Sequence, residues 1–399
     1  MELNANRILT INSGSSSVKF SIYEMGQSES LILSGIIERI GLKPTILKTR
    51  HRQGETNLDD HLYLRDHDAA FKALSEWLMK NRPVGKIDAV GHRIVHGGSE
   101  YSQPQYVTPE LMEKLNELVP LAPDHLPNEI TGIMAIKKAY PGLSQVACFD
   151  TAFHRQMPLR AKMFALPRSL FREGIMRYGF HGLSYEYIMQ ELMTVAGEKV
   201  AKGRVIIAHL GSGSSMVAVK DGKSIDTTMG FTPTGGLMMG TRSGDLDPGI
   251  LIYLLNEKGV SPTSLNEMLN MHSGLLGISG RGSDMKFLLD NETRSVDIAE
   301  AVYLFCYQAK KFLGALCSAL GGIDTLIFTG GIGENSPVIR KRICDDMTFS
   351  NIHLDPIKNE SDKVIVSSDG VATTIRVMRT NEELMIARHT NNIVMNKNR

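Results

Sequence analysis

The chain has 399 residues, of which 42% are hydrophobic and 22% charged, and its formal net charge is +1. This length allows two domains with a full apolar core each, and the near-neutral charge gives no general attraction to nucleic acid or anionic membranes. No apolar run approaches a membrane span, and residues 1–7 lack the pattern of a secretory signal. Four scattered cysteines without metal-ligand spacing indicate free thiols. We therefore expect a cytoplasmic protein with no nucleic-acid or membrane partner.

The first predicted element is a β-hairpin over Ile8–Gly26, in which two apolar runs flank a turn of Gly and Ser. Small residues in such a turn let main-chain N–H groups converge on an anion such as a phosphate. A flexible connection between two strands is the competing interpretation. Further strands are expected in Leu31–Arg50, and Asp68 is positioned to cap a helix over Ala69–Lys80.

A buried strand at Ile87–Val90 precedes Gly91–Gly98, a glycine-flanked segment with Arg93 and two histidines. The ends of strands are where α/β proteins place ligand contacts. Helices are predicted at Thr108–Leu118 and Asn128–Ala139. The strand Gln145–Phe149 then ends on Asp150, and the pattern leaves open whether Asp150 is a catalytic or metal-binding residue or only a capping one.

A second hairpin, Val205–Gly222, repeats the first after an aromatic, Arg and His cluster at Arg177–Gly182 and a helix at Ser184–Ala196. Superimposing the two hairpin sequences pairs Asn12 with His209, Gly14 with Gly211, Ser15 with Ser212 and Ser17 with Ser214. Two copies nearly 200 residues apart predict two similar halves, each presenting a turn of the size of a phosphate.

The segment Asp226–Gly249 is too rich in Gly, Thr and Pro for a regular element, and it contains Arg242 beside two aspartates. Arginine stabilises the charge of a transferring phosphoryl group, although a loop salt bridge explains the pattern equally well. A long helix is predicted over Val296–Leu320, ended by Gly321.

The strand Thr325–Phe328 follows, then a glycine turn and a helix with Ser336 as N-cap and Pro337 as its first residue. This arrangement predicts an anion or nucleotide site. A last helix is predicted over Glu383–His389. Strands and helices alternate in both halves, which predicts an α/β fold.

Three common motifs are excluded. Position 217 is Val where a Walker loop that ends in Lys223-Ser224 needs Gly. Gly211-x-Gly213 and Gly331-x-Gly333 both lack the third glycine of a dinucleotide fingerprint, and no G-x-S-x-G sequence occurs. The predicted phosphate cradle is therefore built from hairpin turns.

Eight motifs along the chain resemble those of acetate kinases, in the same order. They are INSGSSSVKF (11–20), GHRIVHGG (91–98), FDTAFH (149–154), RYGFHG (177–182), MGTRSGDLDPG (239–249), SGLLGISG (273–280), FTGGIGEN (328–335) and TNEE (380–383). Propionate kinases share most of them.

The resemblance implies two duplicated actin-like, sugar-kinase-like (ribonuclease H-like) α/β domains around a nucleotide cleft. We expect one domain over 1–150 plus 384–399 and the other over 151–383. The resemblance further implies a homodimer that transfers the γ-phosphoryl group of ATP to acetate, with Mg²⁺ (or Mn²⁺) as cofactor. A propionate kinase is the alternative, and a non-catalytic actin-like nucleotide-binding protein is the remote one, which has no need of Arg93, His181 and Arg242 together.

The resemblance also implies roles for particular residues. Arg93 is expected to hold the substrate carboxylate, while His181 and Arg242 stabilise the transferring group. Asp150 is the acid/base residue of the family, but a carboxylate nucleophile needs no deprotonation, so we expect Asp150 to orient Arg or Mg²⁺. The remaining expectations are Asn12 and Glu382 for Mg²⁺; Ser15, Ser17, Lys19, His209, Leu210, Gly211, Ser212 and Gly213 for phosphates; Asp284, Met285, Lys286, Gly331, Ile332, Gly333, Glu334 and Asn335 for adenosine; and Val95, His125, Phe180 and Pro233 for the acyl group.

Several positions depart from the family pattern. Asp124 stands where a Leu of the acyl pocket is expected, Ser212 replaces Asn, Ser99 replaces Glu, and Tyr185 replaces His. An unpaired carboxylate is costly in an apolar pocket. These departures leave the choice between acetate and propionate open.

Overall fold

The computed structural model describes residues 5–51, 54–58, 63–80, 85–361 and 363–397. They form two compact units, Met1–Ala152 with Asn381–Arg399, and Phe153–Thr380. Every helix within the described ranges is too short or too polar to cross a lipid bilayer.

The strands are β1 (Asn6–Ser13), β2 (Ser17–Met25), β3 (Glu29–Glu38), β4 (Ile46–His51), β5 (Gly54–Leu58), β6 (Ala89–Ile94), β7 (Gln105–Tyr106), β8 (Ser144–Phe149), β9 (Val205–Leu210), β10 (Ser214–Lys220), β11 (Lys223–Thr227), β12 (Thr325–Thr329) and β13 (Thr374–Val377). The α-helices are α1 (His67–Lys80), α2 (Pro109–Leu118), α3 (Leu126–Ala139), α4 (Leu159–Lys162), α5 (Arg168–Arg172), α6 (Gly182–Ala196), α7 (Glu198–Ala201), α8 (Pro248–Asn256), α9 (Pro262–Met271), α10 (Gly274–Ser279), α11 (Met285–Asn291), α12 (Val296–Leu320), α13 (Gly330–Asn335), α14 (Pro337–Cys344), α15 (Pro356–Asn359) and α16 (Glu382–Lys397). Short 3₁₀ helices cover Val119–Leu121, Ala152–His154, Glu292–Arg294 and Thr348–Ser350.

The first unit is built on a sheet of order β5-β4-β3-β2-β1-β6-β8-β7. Strands β1, β6 and β8 are parallel neighbours, whereas β2 to β5 and β7 pair antiparallel. Alternate residues of β2, such as Phe20 and Ile22, are buried in a core shared with α1 and α3. Parallel strands bring their carboxyl ends to one edge of a sheet, and here these ends carry Asn12, Arg93 and Asp150.

The second unit is built on a sheet of order β11-β10-β9-β12-β13, with β9, β12 and β13 parallel. Its core is organised around α12, whose buried residues include Phe305 and Leu313. This helix has the predicted bounds, and it ends because Gly321 adopts the left-handed conformation (φ +71°). Ser336 caps α14 by accepting the Ile339 N–H, with Pro337 as first residue, also as predicted.

Both sheets contain the same five-strand pattern, β3-β2-β1-β6-β8 in the first unit and β11-β10-β9-β12-β13 in the second. The prediction of a duplicated α/β fold is confirmed. The superposition of the two hairpins is wrong by one residue in the second strand, however, because Ser13 pairs with Val18 whereas Leu210 pairs with Ser214. Val18, not Ser17, therefore corresponds to Ser214. The error arises because a run of Gly and Ser residues predicts a turn but does not show how many residues the turn contains.

Three local predictions need correction. The helix α1 is capped by Asp66, which accepts the Ala69 N–H (2.9 Å), and not by Asp68. The strand β6 continues to Ile94, so Arg93 lies within it and not after it. The expected glycine turn after β12 forms the short helix α13. Parallel pairing with β8 explains the longer β6, whereas the Asp66 cap is itself a local contact that the sequence pattern did not distinguish from one by Asp68.

Candidate active site

Arg93 and Asp150 form an ion pair at the carboxyl edge of the first sheet. The Asp150 N–H continues the parallel pairing by donating to the Ile94 carbonyl (2.9 Å). Asp150 Oδ2 accepts from Arg93 Nε (3.1 Å) and Nη2 (2.5 Å). Burial alone would lower the pKa of Arg93, but the charges of Asp150 and Glu382 outweigh burial and raise it. Arg93 therefore stays protonated, and its ion-pair partner, the Asp150 side chain, is fully buried.

Asn12 and Glu382 lie beside this pair within the same unit. Asn12 Nδ2 donates to Glu382 Oε2 (3.1 Å), and Asn12 Oδ1 accepts from Arg93 Nη1 (3.2 Å). One carboxylate and one amide oxygen suit Mg²⁺, which keeps several waters and takes its other ligands from phosphates. Among the described residues no cluster of three or more His, Cys, Asp or Glu could hold a metal. The donor set thus fits a sparsely bound, water-rich Mg²⁺.

The first hairpin turn is held by a residue that the sequence did not single out. His67, at the start of α1, forms a hydrogen bond between Nε2 and the Gly14 carbonyl (2.9 Å). Burial lowers the pKa of His67, so the neutral ring is favoured. The Gly14 N–H donates to the Ser17 carbonyl (2.8 Å), while Ser15 and Lys19 are exposed. The turn therefore presents the hydroxyls of Ser15 and Ser16 to solvent on a fixed backbone, next to the ammonium group of Lys19.

His181 and His209 stack on each other in the second unit, with ring centroids 4.4 Å apart. His181 Nδ1 bonds to Ser215 Oγ (2.8 Å), and Tyr185 Oη bonds to the same hydroxyl. His209 Nδ1 bonds to Ser184 Oγ (2.8 Å). A hydroxyl group thus engages Nδ1 of each ring, which fixes the orientation of both imidazoles. Tyr185, a departure from the family pattern, is thus part of the support of His181.

His181 has a left-handed backbone (φ +59°) where α6 begins. A residue other than glycine seldom adopts this conformation, which costs free energy and recurs at functional sites. The conformation directs the His181 ring towards the second hairpin turn.

Gly213 brings that turn against both His181 and Arg242. A Cβ atom at Gly213 would lie 3.3 Å from His181 Nε2, a tight contact, and 3.6 Å from Arg242 Nη1, an ordinary van der Waals contact. Arg242 Nη1 donates to the Pro233 carbonyl (3.2 Å) and approaches Met239 Sδ (3.7 Å). These two contacts hold the Arg242 guanidinium beside the turn.

The residues expected at adenosine fall into two groups. Gly331 and Asn335 are exposed on α13, and a Cβ at Gly331 would meet open space. The other side chains have contacts within the unit. Asp284 caps α11, and Lys286 pairs with Asp290. Glu334 accepts the N–H groups of Gly330 and Thr380. The side chain of Met285 is buried in the core, as is that of Leu210 in the phosphate turn. Because the side chains of Met285 and Leu210 are buried, any contact of these two residues with a ligand would be made by their backbone atoms.

The residues expected around the acyl group belong to both units. Val95 and Phe180 are buried, whereas Asp124 and His125 are half-buried at the start of α3. The His125 carbonyl accepts the N–H groups of Asn128 and Glu129, and the Pro233 carbonyl is taken by Arg242. Their convergence into one acyl pocket stays a prediction.

Glu129 is a buried carboxyl group that the sequence reasoning missed. It is 2% exposed and accepts the Val95 N–H at both oxygens (3.2 and 3.0 Å). Burial raises its pKa to about 8, against the opposing effects of Arg93 and the Val95 N–H. A Glu in the first turn of an amphipathic helix is common, so no sequence signal separated it from an exposed one.

Comparison with known proteins identifies the family of this chain. Residues 7–388 match the model of the acetokinase family. The chain belongs to this family. An acetate kinase of Rhodopseudomonas palustris (strain TIE-1) is 45% identical over 388 residues, which cover 96% of this chain and 97% of that relative.

Solved structures of the acetokinase family have the same fold. The acetate kinase of Porphyromonas gingivalis is 38% identical, with a TM-score of 0.86 over 98% of this chain and 100% of that one. A propionate kinase of Francisella tularensis is 37% identical, with a TM-score of 0.91 over 97% and 100% of the two chains. The chain is therefore an enzyme, a phosphotransferase with a carboxyl group as acceptor and ATP as co-substrate, and the non-catalytic alternative is set aside.

Proposed function

We propose that this acetokinase-family enzyme is an acetate kinase. An acetate oxygen attacks the γ-phosphorus of ATP while the bond from that phosphorus to the ADP oxygen breaks, which gives acetyl phosphate and ADP reversibly. The observation that carries the proposal is the close approach of His181 and Arg242 to the Gly213 backbone. It supplies fixed positive charge and a hydrogen-bond donor beside a turn that suits a phosphate.

The residues of the second unit would act on the phosphoryl group. In phosphoryl transfer the charge is spread over three equatorial oxygens, and the protein contributes mainly position and charge. Arg242 is held by the Pro233 carbonyl, and His181 is oriented by Ser215, so both reach the transition state with little reorganisation. Ser212 is exposed in the turn, and its carbonyl is fixed by the Gly240 N–H.

The residues of the first unit would bind the acceptor. Arg93 offers a permanent charge to the acetate carboxylate, and Asp150 fixes the guanidinium so that it points in one direction. Asn12 and Glu382 would hold Mg²⁺ (or Mn²⁺), and when bound this ion neutralises charge on the phosphate oxygens. The proposal requires both sets of residues to act on one phosphoryl group. The expected nucleotide cleft and the domain boundaries stay predictions.

Propionate is the second candidate substrate because one of the similar structures is a propionate kinase. The half-buried Asp124, which stands in for an apolar pocket residue, is the position of the chain that bears on this choice.

The choice between acetate and propionate is tested by measuring kcat/KM for acetate, propionate and butyrate, with the acyl phosphate trapped as its hydroxamate. We expect acetate to give the highest value. A higher value for propionate would make the enzyme a propionate kinase. ATP binding without any acyl phosphate from the three acids would contradict the proposed function itself.

We also infer a homodimer, as the resemblance implies. The apolar helix α8 has no buried residue, and Ile250, Ile252 and Tyr253 are exposed on it. Exposed apolar patches of this kind mark protein–protein contacts. We expect light scattering to give twice the mass of the chain and Ile252→Glu to give the mass of one copy. A wild-type enzyme with the mass of a single chain would contradict the dimer.

We infer a cytoplasmic location as well, supported by four cysteines that are all free and buried. Fractionation of cells that express the chain tests this location, and recovery outside the cytoplasm would contradict it.

A further inference from the structure

Glu129 clamps the backbone at the point where β6 ends. Val95 is the first residue after β6 and lies two positions from Arg93. Both carboxyl oxygens of Glu129, from the first turn of α3, reach the Val95 N–H. On the side of β8, the Ile94 carbonyl accepts the N–H of Asp150, the residue that follows that strand (2.9 Å). The carbonyl of Ile94 and the amide of Val95 are thus fixed by two acidic residues, Asp150 and Glu129, whose charges both act on Arg93.

An ionised Glu129 would add a negative charge near Arg93. The carboxyl groups of Asp150, Glu382 and Glu129 all interact with this guanidinium. Asp150 is paired with Arg93, and the charge of Glu382 would be offset by the Mg²⁺ that it is proposed to hold. Neither arrangement offsets the charge of Glu129, and in a buried environment its repulsion of a carboxylate substrate is weakly screened.

A proton on Glu129 removes one of these negative charges. Burial first, and the neighbouring Asp150 carboxylate to a smaller extent, raise the pKa of Glu129 to about 8. The group is therefore mostly neutral at pH 7 and ionises as the pH passes 8. A protonated carboxyl still accepts the Val95 N–H, so the clamp is kept in both forms.

His92 is the neighbouring buried histidine on β6. It bonds to Gln145, and burial lowers its pKa to about 4, so it stays neutral across the alkaline range. His96 accepts the Gly98 N–H at Nδ1 and holds the turn that follows Val95. A change of charge near pH 8 is thus expected of Glu129 and not of His92.

We propose that Glu129 is a positioning residue that holds the Val95 and Arg93 segment for the substrate carboxylate, and that its ionisation opposes binding of that carboxylate. The proposal rests on the proposed function, because it concerns the acceptor half-site of a carboxylate kinase. A purely structural Glu129 would hold the turn without any effect of its charge on substrate affinity.

The test is the dependence of the acetate KM on pH, from about pH 7 to about pH 9.5, in the wild-type enzyme and in Glu129→Gln. Acetate is ionised throughout this range, so the substrate does not titrate. A required proton with a pKa of about 8 makes the wild-type acetate KM about tenfold higher at pH 9 than at pH 7. The ATP KM is expected to stay level, because the charge acts on the acceptor.

Glu129→Gln keeps an acceptor for the Val95 N–H and does not ionise, so we expect its acetate KM to stay level over the same range. Glu117→Gln on α2 is the matched control, since Glu117 is exposed and pairs with Lys114. It should reproduce the wild-type curve. A Glu129→Gln enzyme whose acetate KM rises as in the wild type would overturn the proposal.

Thermal unfolding against pH gives a second readout that needs no activity. Folded Glu129 keeps its proton up to about pH 8, whereas the unfolded chain releases it near its ordinary pKa of about 4.3. The folded state binds more protons between these values, so wild-type stability falls as the pH rises through them. Glu129→Gln should lack this fall, and parallel Tm curves would overturn the proposal. A wild-type enzyme that forms no acyl phosphate would instead contradict the proposed function, while the unfolding curves still test Glu129.

Discussion

Arg242→Ala is expected to lower kcat by about 10³-fold or more, the usual effect of losing an arginine that stabilises a phosphoryl transition state. The structure supports this expectation because Arg242 Nη1 lies next to the position that a Gly213 Cβ would occupy, beside His181 Nε2. The charge that Arg242 would stabilise develops in the transition state, so the ATP KM should change little. Steady-state kinetics with saturating acetate measure both values.

Two further variants make the Arg242 result specific. Arg242→Lys keeps a positive charge without the planar fork of donors, so its kcat should lie between those of wild type and Arg242→Ala. Arg204→Ala in the same unit removes an arginine whose partner is Asp324 at the surface, and it should keep full activity. An unchanged kcat in Arg242→Ala, with a wild-type Tm, would remove Arg242 from the mechanism.

The sequence predicts most of the elements because their signals are local. The long helix α12 was predicted to the residue, since an apolar period of helical spacing ends on a glycine. The Ser336 cap and both hairpins are equally local features. The length of the first hairpin turn was not predictable in this way, because a run of Ser residues allows several registers that differ by one residue.

The residues that position the site are harder to predict because their partners are distant in the chain. Asn12 reaches Glu382 and Arg93, and Glu129 reaches the Val95 amide. His67 contacts the carbonyl of Gly14, a group that every residue possesses. A sequence shows which side chains are present, but a hydrogen bond to a backbone atom depends on tertiary packing alone. The roles given to the individual site residues therefore stay predictions, and the structure supplies the contacts for testing them.

Asp150→Asn is expected to lower kcat/KM for acetate by about 100-fold, equivalent to ~2.7 kcal/mol, because the buried Arg93 loses the carboxylate with the largest effect on its charge. The effect should fall mainly on the acetate KM, since Asn keeps the shape of Asp150 but releases the guanidinium of Arg93. Arg93→Ala should have an effect at least as large. Asp324→Asn, at the half-exposed pair with Arg204, is the matched control and should leave kcat/KM unchanged.

The double variant Arg93→Ala/Asp150→Asn decides how Asp150 acts. If Asp150 works through Arg93, its loss has no further effect once Arg93 is gone, so the double variant should match Arg93→Ala. If Asp150 instead acted as a general base, independently of Arg93, its replacement would lower kcat/KM further in the Arg93→Ala enzyme, and the two fold-losses would multiply. The geometry favours the first outcome: Asp150 Oδ2 accepts from two nitrogens of Arg93, and the Asp150 side chain is fully buried. Effects of the two substitutions that simply multiply would contradict the orienting role and return Asp150 to the position of an acid/base group.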